Sequence, residues 1–296
     1  MNYYASGKLM LFGEYLVLKG SQCLATPVKY GQKMEVQFIR GNEIKWISRV
    51  QGREWFSARF DKSLSTSKVS KTSTADLLFK LLKLIESEKP EIFHTGLQIE
   101  VDADFPLEWG FGSSSTLISL LAQWSELDPY FLLKKTIGGS GFDLACARET
   151  TPILYRMNGN KVEHVELSKA ITSKLLFVYS GKKQSSAKEI KRFNKVEIHE
   201  KDIFKMDQIV SSVIESKQID EFEKWVVESE NLISGILKSP AIKENKFKNY
   251  PFTLKSLGAW GGDFFMATFR DEKEARNYFS NLGYSIQFNY SQLIKN

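Results

Sequence analysis

The sequence predicts an α+β protein in two lobes. Three observations carry this expectation: apolar strands of period two in both halves of the chain, amphipathic helices between them, and a shift of composition over 157–169. A chain of 296 residues suits one large domain or two ordinary ones, and the shift divides it into 1–160 and 161–296.

In chain order, Tyr3 to Val28 reads as strand, glycine turn, strand. Met34, Val36 and Phe38 alternate with Glu35 and Gln37 as a half-buried strand. Ile44–Ser48 and Phe56–Phe60 follow as antiparallel strands joined through Gly41-Asn42 and Gln51-Gly52 turns. The serine- and lysine-rich stretch 61–71 has no period and reads as an exposed loop. A helix begins near Thr72, with Leu78, Leu81, Leu82 and Ile85 on one stripe and Pro90 beyond its end. Leu97, Ile99 and Val101 alternate as a strand, and Leu117, Leu120, Leu121 and Trp124 form the stripe of the next helix. In the second half, strands are expected at Ile153–Arg156, Leu175–Tyr179, Phe264–Phe269 and Tyr284–Phe288. Helices are expected at 187–193, Phe204–Glu215, Ile219–Leu237 and Glu272–Leu282.

Composition excludes several classes. No apolar run approaches the roughly 20 residues of a membrane span, and the opening residues lack a charged stretch followed by an apolar one. Cys23 and Cys146 are too few for a disulfide framework, so cytoplasmic residence with free thiols is expected. The net charge of +6 suits a small polyanionic substrate and would also suit weak non-specific contact with nucleic acid. Zinc spacings and nucleic-acid-binding signatures are missing, so nucleic acid is not an expected partner. His94, His164 and His199 have no ligand-like spacing and read as surface residues; Phe222 and Trp225 read as core, and Cys146 as an inert buried thiol.

The chemistry concentrates in glycine turns. Pro106 to Thr116 places Gly110, Gly112 and the hydroxyls of Ser113, Ser114 and Ser115 between a strand and a helix. Such a turn leaves backbone N–H groups without partners at the positive end of a helix dipole and favours an anion, usually phosphate. The bland alternative is a serine-capped helix after a loop. A second turn, Gly138 to Gly141, carries Ser140 and leads Asp143 into an apolar segment, and a third runs from Gly258 to Asp263. Lys8 and Glu14 are charges inside an apolar run; either they point to solvent from an open strand face or they face an anion site. Lys182, Lys183, Ser185 and Ser186 offer donors for a second phosphate, or are a solvated surface.

Taken together and in this order, Ser6-Gly7-Lys8-Leu9…Phe12-Gly13-Glu14-Tyr15, Pro106–Ser115 and Gly258–Asp263 resemble the GHMP kinase family, which includes galactokinase, homoserine kinase, mevalonate kinase and phosphomevalonate kinase. The resemblance spans nearly the whole chain. It implies an N-terminal lobe like ribosomal protein S5 domain 2, a C-terminal ferredoxin-like lobe, and ATP in the cleft between them. Gly139–Ala145, Gly181–Ser186 and the Gly-Gly-Asp at Gly261–Asp263 resemble most the branch that phosphorylates phosphomevalonate, with mevalonate or another family acceptor as the alternative.

By this resemblance Gly110, Gly112, Ser113, Ser114 and Ser115 bind ATP, Ser114 contacts Mg²⁺, and Lys8 and Asp143 are catalytic. Glu14, Ser140, Lys182, Lys183, Ser185, Ser186, Gly258, Ala259, Gly261, Gly262 and Asp263 bind substrate. A monomer or homodimer is expected. Three positions depart from the family pattern: Ser6 stands for a proline, Ser115-Thr116 for a pair of alanines, and Trp260 for a glycine. The last keeps alive a relative that binds nucleotide without turning it over.

Overall fold

In the computed structural model the described residues are 1–61, 64, 73–182, 189, 192–193, 195–258, 260 and 262–295. The chain is mixed α+β and forms two compact units. One comprises Met1–Gly7, Tyr30–Leu107 and Phe111–Arg148; the other comprises Lys8–Lys29, Glu108–Gly110 and Glu149–Asn296. Strands β1 (Asn2–Phe12) and β2 (Gln22–Ile39) run from one unit into the other.

In the first unit the period-two segments build a sheet in the order β4-β3-β5-β2, with β3 at Glu43–Val50, β4 at Arg53–Asp61 and β5 at Gly96–Ala103. The Gln51-Gly52 turn closes the β3–β4 hairpin with positive φ at both residues (52° and 77°), the conformation a tight hairpin turn requires. The expected hairpin through Gly41-Asn42 does not form. Instead β5 pairs antiparallel with β2 and parallel with β3, lying between them. Alternation specifies which face a strand buries, not its neighbour, and the parallel β3–β5 pair has the β4 return and helix α1 (Ser73–Glu88) as its crossover.

The α1 stripe is buried as its spacing predicts: Leu81, Leu82 and Ile85 are wholly inaccessible. They join Met34, Val36, Trp46, Leu97 and Ile99 with the stripe of α2 (Ser113–Ser125) in one core. Each such aliphatic side chain contributes roughly 1.5–3 kcal/mol by leaving water. Phe38 is an exception to its strand's pattern, 66% exposed near the end of β2. Two short helices follow, α3 (Pro129–Lys135), capped by the Asp128 side chain, and α4 (Phe142–Arg148), which packs on α2.

In the second unit β6 (Ile153–Arg156) pairs with β2 over Gln22–Ala25 and with β7 (Lys161–His164). After α5 (Lys169–Thr172), a four-stranded antiparallel sheet runs β11-β8-β10-β9. Its strands are β8 (Leu175–Tyr179), β9 (Leu254–Leu257), β10 (Phe264–Thr268) and β11 (Gln287–Asn289). Helices α6 (Glu200–Glu215) and α7 (Ile219–Leu237) pack together, followed by α8 (Ile242–Lys246), α9 (Glu272–Asn281) and α10 (Tyr290–Leu293).

The expected final strand starts three residues late, because Gly283 turns the chain at φ 89° and Tyr284 packs its ring on Phe247 and Phe265. Trp225 is half-buried beneath the ammonium groups of Lys205 and Lys224 rather than in the core, whereas Phe222 is fully buried. The three histidines are exposed, and both cysteines are buried and form no disulfide. The expected loop at 61–71 and helix at 187–193 fall mostly outside the described residues.

Candidate functional site

The glycine turn before α2 is shaped by local sterics. Gly110 and Gly112 have φ of 70° and 85°, which L side chains rarely adopt. Gly112 is the N-cap and supplies no side-chain hydrogen bond to the first N–H groups of α2. Phe111, fully buried, stacks on Tyr30 at 5.9 Å and leans on Phe105 at 5.6 Å, which anchors the turn in the first unit. Ser114 is exposed, Ser113 half-buried, and Ser115 buried. Thr116, which stands where the family has alanine, is absorbed by the core: its hydroxyl lies 2.9 Å from Gln32 Oε1 and within reach of the Gly112 and Ser113 carbonyls.

Just upstream, Glu108–Gly110 belongs to the second unit. Trp109 meets Phe288 edge-on at 5.4 Å and Phe264 at 6.1 Å, and the Tyr179 hydroxyl donates to the Glu108 carbonyl. A Cβ at Gly110 would collide with the Asp263 carboxylate. The second and third glycine turns of the sequence thus differ in setting. In the first unit Gly138, Gly139 and Gly141 all have positive φ and carry the buried Ser140 into α4, whose first turn contains the half-buried Asp143. In the second unit Gly258, at φ 71°, leaves β9, and Gly262 and Asp263 enter β10, whose Phe264 pairs with Leu257. The Asp263 carbonyl accepts from the Ser180 N–H at 2.8 Å.

Lys8 is half-buried on β1. Glu14 is 3% exposed, and its Oε1 accepts from Lys255 Nζ at 2.6 Å. Lys182 is exposed beside the Gly181 turn, where its N–H donates to the Ser180 hydroxyl at 3.3 Å. Lys183, Ser185, Ser186, Ala259 and Gly261 lie outside the described residues.

Sequence reasoning missed Lys255 as the partner of Glu14, and Glu230 as the second carboxylate on that lysine. Lys255, on β9, is 1% exposed and sits 2.6 Å from Glu14 and 3.8 Å from Glu230. Burial pushes the Glu230 carboxyl up to about 7; Lys255 pulls against this and Glu14 adds to it. Burial raises Glu14 as well, opposed by the same ammonium. The signal was present: Glu230 falls on the α7 stripe between Val226 and Ile233, where a charged residue demands a partner.

Solved structures similar to this chain include small-molecule kinases. The Methanococcus jannaschii mevalonate kinase is 18% identical, with TM-score 0.72 over 100% of this chain and 98% of that one. The Streptococcus pneumoniae phosphomevalonate kinase, in complex with phosphomevalonate and AMPPNP, is 17% identical, with TM-score 0.73 over 97% and 99%. The Lactococcus lactis galactokinase complexed with galactose is 11% identical, with TM-score 0.70 over 99% and 92%. No family model matches the sequence, nor does any curated protein. The chain therefore has the fold of the GHMP kinases, at sequence identities that show the fold alone.

Proposed function

We propose that the chain is an ATP-dependent small-molecule kinase that phosphorylates phosphomevalonate. The observation that carries the reading is the Gly110–Ser115 turn, whose positive-φ glycines and uncapped α2 N-terminus suit a phosphate chain. The fold shared with a phosphomevalonate kinase solved with AMPPNP supports it.

ATP fits this turn through the backbone N–H groups of Gly112 to Ser115 and the hydroxyls of Ser113 and Ser114. Among the described residues no group of three or more His, Cys, Asp or Glu side chains is placed to hold a metal. Mg²⁺ keeps several waters and takes phosphate oxygens, and the exposed Ser114 hydroxyl would be the protein's contribution to it. When bound, Mg²⁺ neutralises charge on the transferred phosphoryl group.

The chain's own residues then position and stabilise. Lys8 offsets negative charge developing on the transferred phosphoryl group, and Asp143 orients the acceptor hydroxyl and takes its proton. Ser140, Lys182, Lys183, Ser185 and Ser186 bind the acceptor and its phosphate, as do Gly258, Ala259, Gly261, Gly262 and Asp263 of the third turn. No helix among the described residues is long and apolar enough to cross a membrane.

Mevalonate is the second reading, favoured by the mevalonate kinases that share the fold. Coupled detection of ADP from phosphomevalonate, mevalonate, homoserine and galactose separates the two. Phosphomevalonate is expected to give the highest kcat/KM. ATP binding with no ADP from any acceptor would leave a nucleotide-binding protein without turnover.

A further inference from the structure

The turn that ends β1 is strained, and both of its side chains reach the third glycine turn and the strand that leads into it. Tyr15 has φ 63° and ψ −48°, outside the favoured regions for a bulky residue. Gly13 before it, at φ 97°, packs so closely on Cys23 that an added Cβ would fall 2.5 Å from the Cys23 Cβ. From this turn Glu14 accepts from Lys255, three residues before Gly258, and the Tyr15 hydroxyl accepts from the Trp260 N–H at 2.6 Å. Tyr15 is itself fixed against Phe193 at 5.1 Å.

Lys255 is held a second time by Glu230 of α7, whose Oε1 also accepts from the Ser256 N–H at 3.1 Å. The second oxygens of Glu14 and Glu230 and the hydroxyl of Ser256 are buried without a hydrogen-bond partner among the described residues. Leaving such atoms unsatisfied is costly, and leaving two carboxylates on one ammonium more so. A hydrophobic strand pair would join the same elements without that cost, so stability does not explain the arrangement. What it does supply is direction: an ion pair at Lys255 and a hydrogen bond at the Trp260 N–H, both short, tie the turn that ends β1 to one glycine turn and its strand.

We infer that Glu14, Tyr15 and Lys255 are positioning residues that hold the third glycine turn in the conformation the acceptor binds, an inference that rests on the kinase reading above. They do this through its backbone at Trp260 and its strand at Lys255. Trp260, anomalous beside the family pattern, thereby contributes its main-chain N–H to the latch.

The test is Tyr15→Phe, which removes only the oxygen that receives the Trp260 N–H, with Glu14→Gln as the second variant. Kinetics with ATP and phosphomevalonate are read beside ATP affinity by calorimetry and ¹⁹F spectra of protein labelled with 5-fluorotryptophan, in which Trp260→Phe assigns the Trp260 line. The expected result is a tenfold or greater loss of kcat/KM, mostly in the KM for phosphomevalonate, with ATP affinity changed less than twofold. The Trp260 resonance moves or broadens while those of the other tryptophans stay. A loss of thermal stability with unchanged KM and an unmoved Trp260 line would overturn the inference. If the unaltered protein releases no ADP from any acceptor, the kinase reading fails. The fluorine spectra then decide alone whether Tyr15 and Glu14 hold the turn, and an unmoved line refutes it.

Discussion

At Gly110 two constraints coincide: φ of 70°, and a neighbouring carboxylate, Asp263, occupying the space a Cβ would need. Gly110→Ala therefore has to move the turn or displace Asp263. Left-handed backbone costs a non-glycine residue on the order of 1–2 kcal/mol before the clash is counted. The expected outcome is ATP affinity at least tenfold weaker by calorimetry; unchanged affinity would remove Gly110 from the phosphate turn. Asp143→Ala should lower kcat by about a thousandfold, within the range for loss of a positioned acid–base group, while ATP affinity stays within twofold. A variant as active as the parent would exclude Asp143 from the mechanism. The glycines were legible in the sequence because each answers a local demand of the backbone. The Thr116–Gln32 contact was not, since it joins residues 84 apart and only the tertiary fold brings them together.

At the scale of elements, α7 shows how a side chain can contradict its helix's pattern for a reason. Glu230 takes a place in the buried stripe because Lys255 of β9 and the Ser256 N–H are there to receive it. The groups facing it are Lys255, Glu14, and the backbone N–H groups of Ser256 and Ile242. Its carboxyl titrates near 7 when folded and near the ordinary 4.5 when unfolded. Between those values the folded chain keeps a proton that the unfolded chain has lost. This contribution is therefore fully present below about pH 4.5 and is lost as pH rises through about 7. Glu14, also raised, acts in the same direction. Thermal melts should show the parent losing more stability than Glu230→Gln between about pH 5 and pH 8; parallel curves would contradict the assignment. Strand adjacency marks the limit of pattern reading at this scale. Period two correctly gave β2, β3 and β5 a buried face, yet nothing in it placed β5 between the other two. The Glu14–Lys255 pair was likewise invisible, since it spans 241 residues.

For the whole molecule, the strongest sequence signal was the order of the three glycine turns along the chain, each weak alone. Solved kinases share the fold at 11–18% identity, so one backbone path accommodates very different side chains. The fold class was legible because alternation and helical stripes record which faces are buried. The substrate was not, because an acceptor is chosen by a few donors, and Lys183, Ser185 and Ser186 lie outside the described residues. Lys182→Ala with Lys183→Ala should raise the KM for phosphomevalonate severalfold and spare that for ATP, as expected when charge-assisted hydrogen bonds to one phosphate are removed; an unchanged acceptor KM would return the cluster to plain surface. The most direct measurement is ³¹P NMR of the protein with ATP, Mg²⁺ and phosphomevalonate. The γ-phosphate signal is expected to be replaced by ADP and a pair of coupled diphosphate resonances on the acceptor, in equal amounts. ATP left intact, or converted to ADP and inorganic phosphate with the acceptor unchanged, would contradict it.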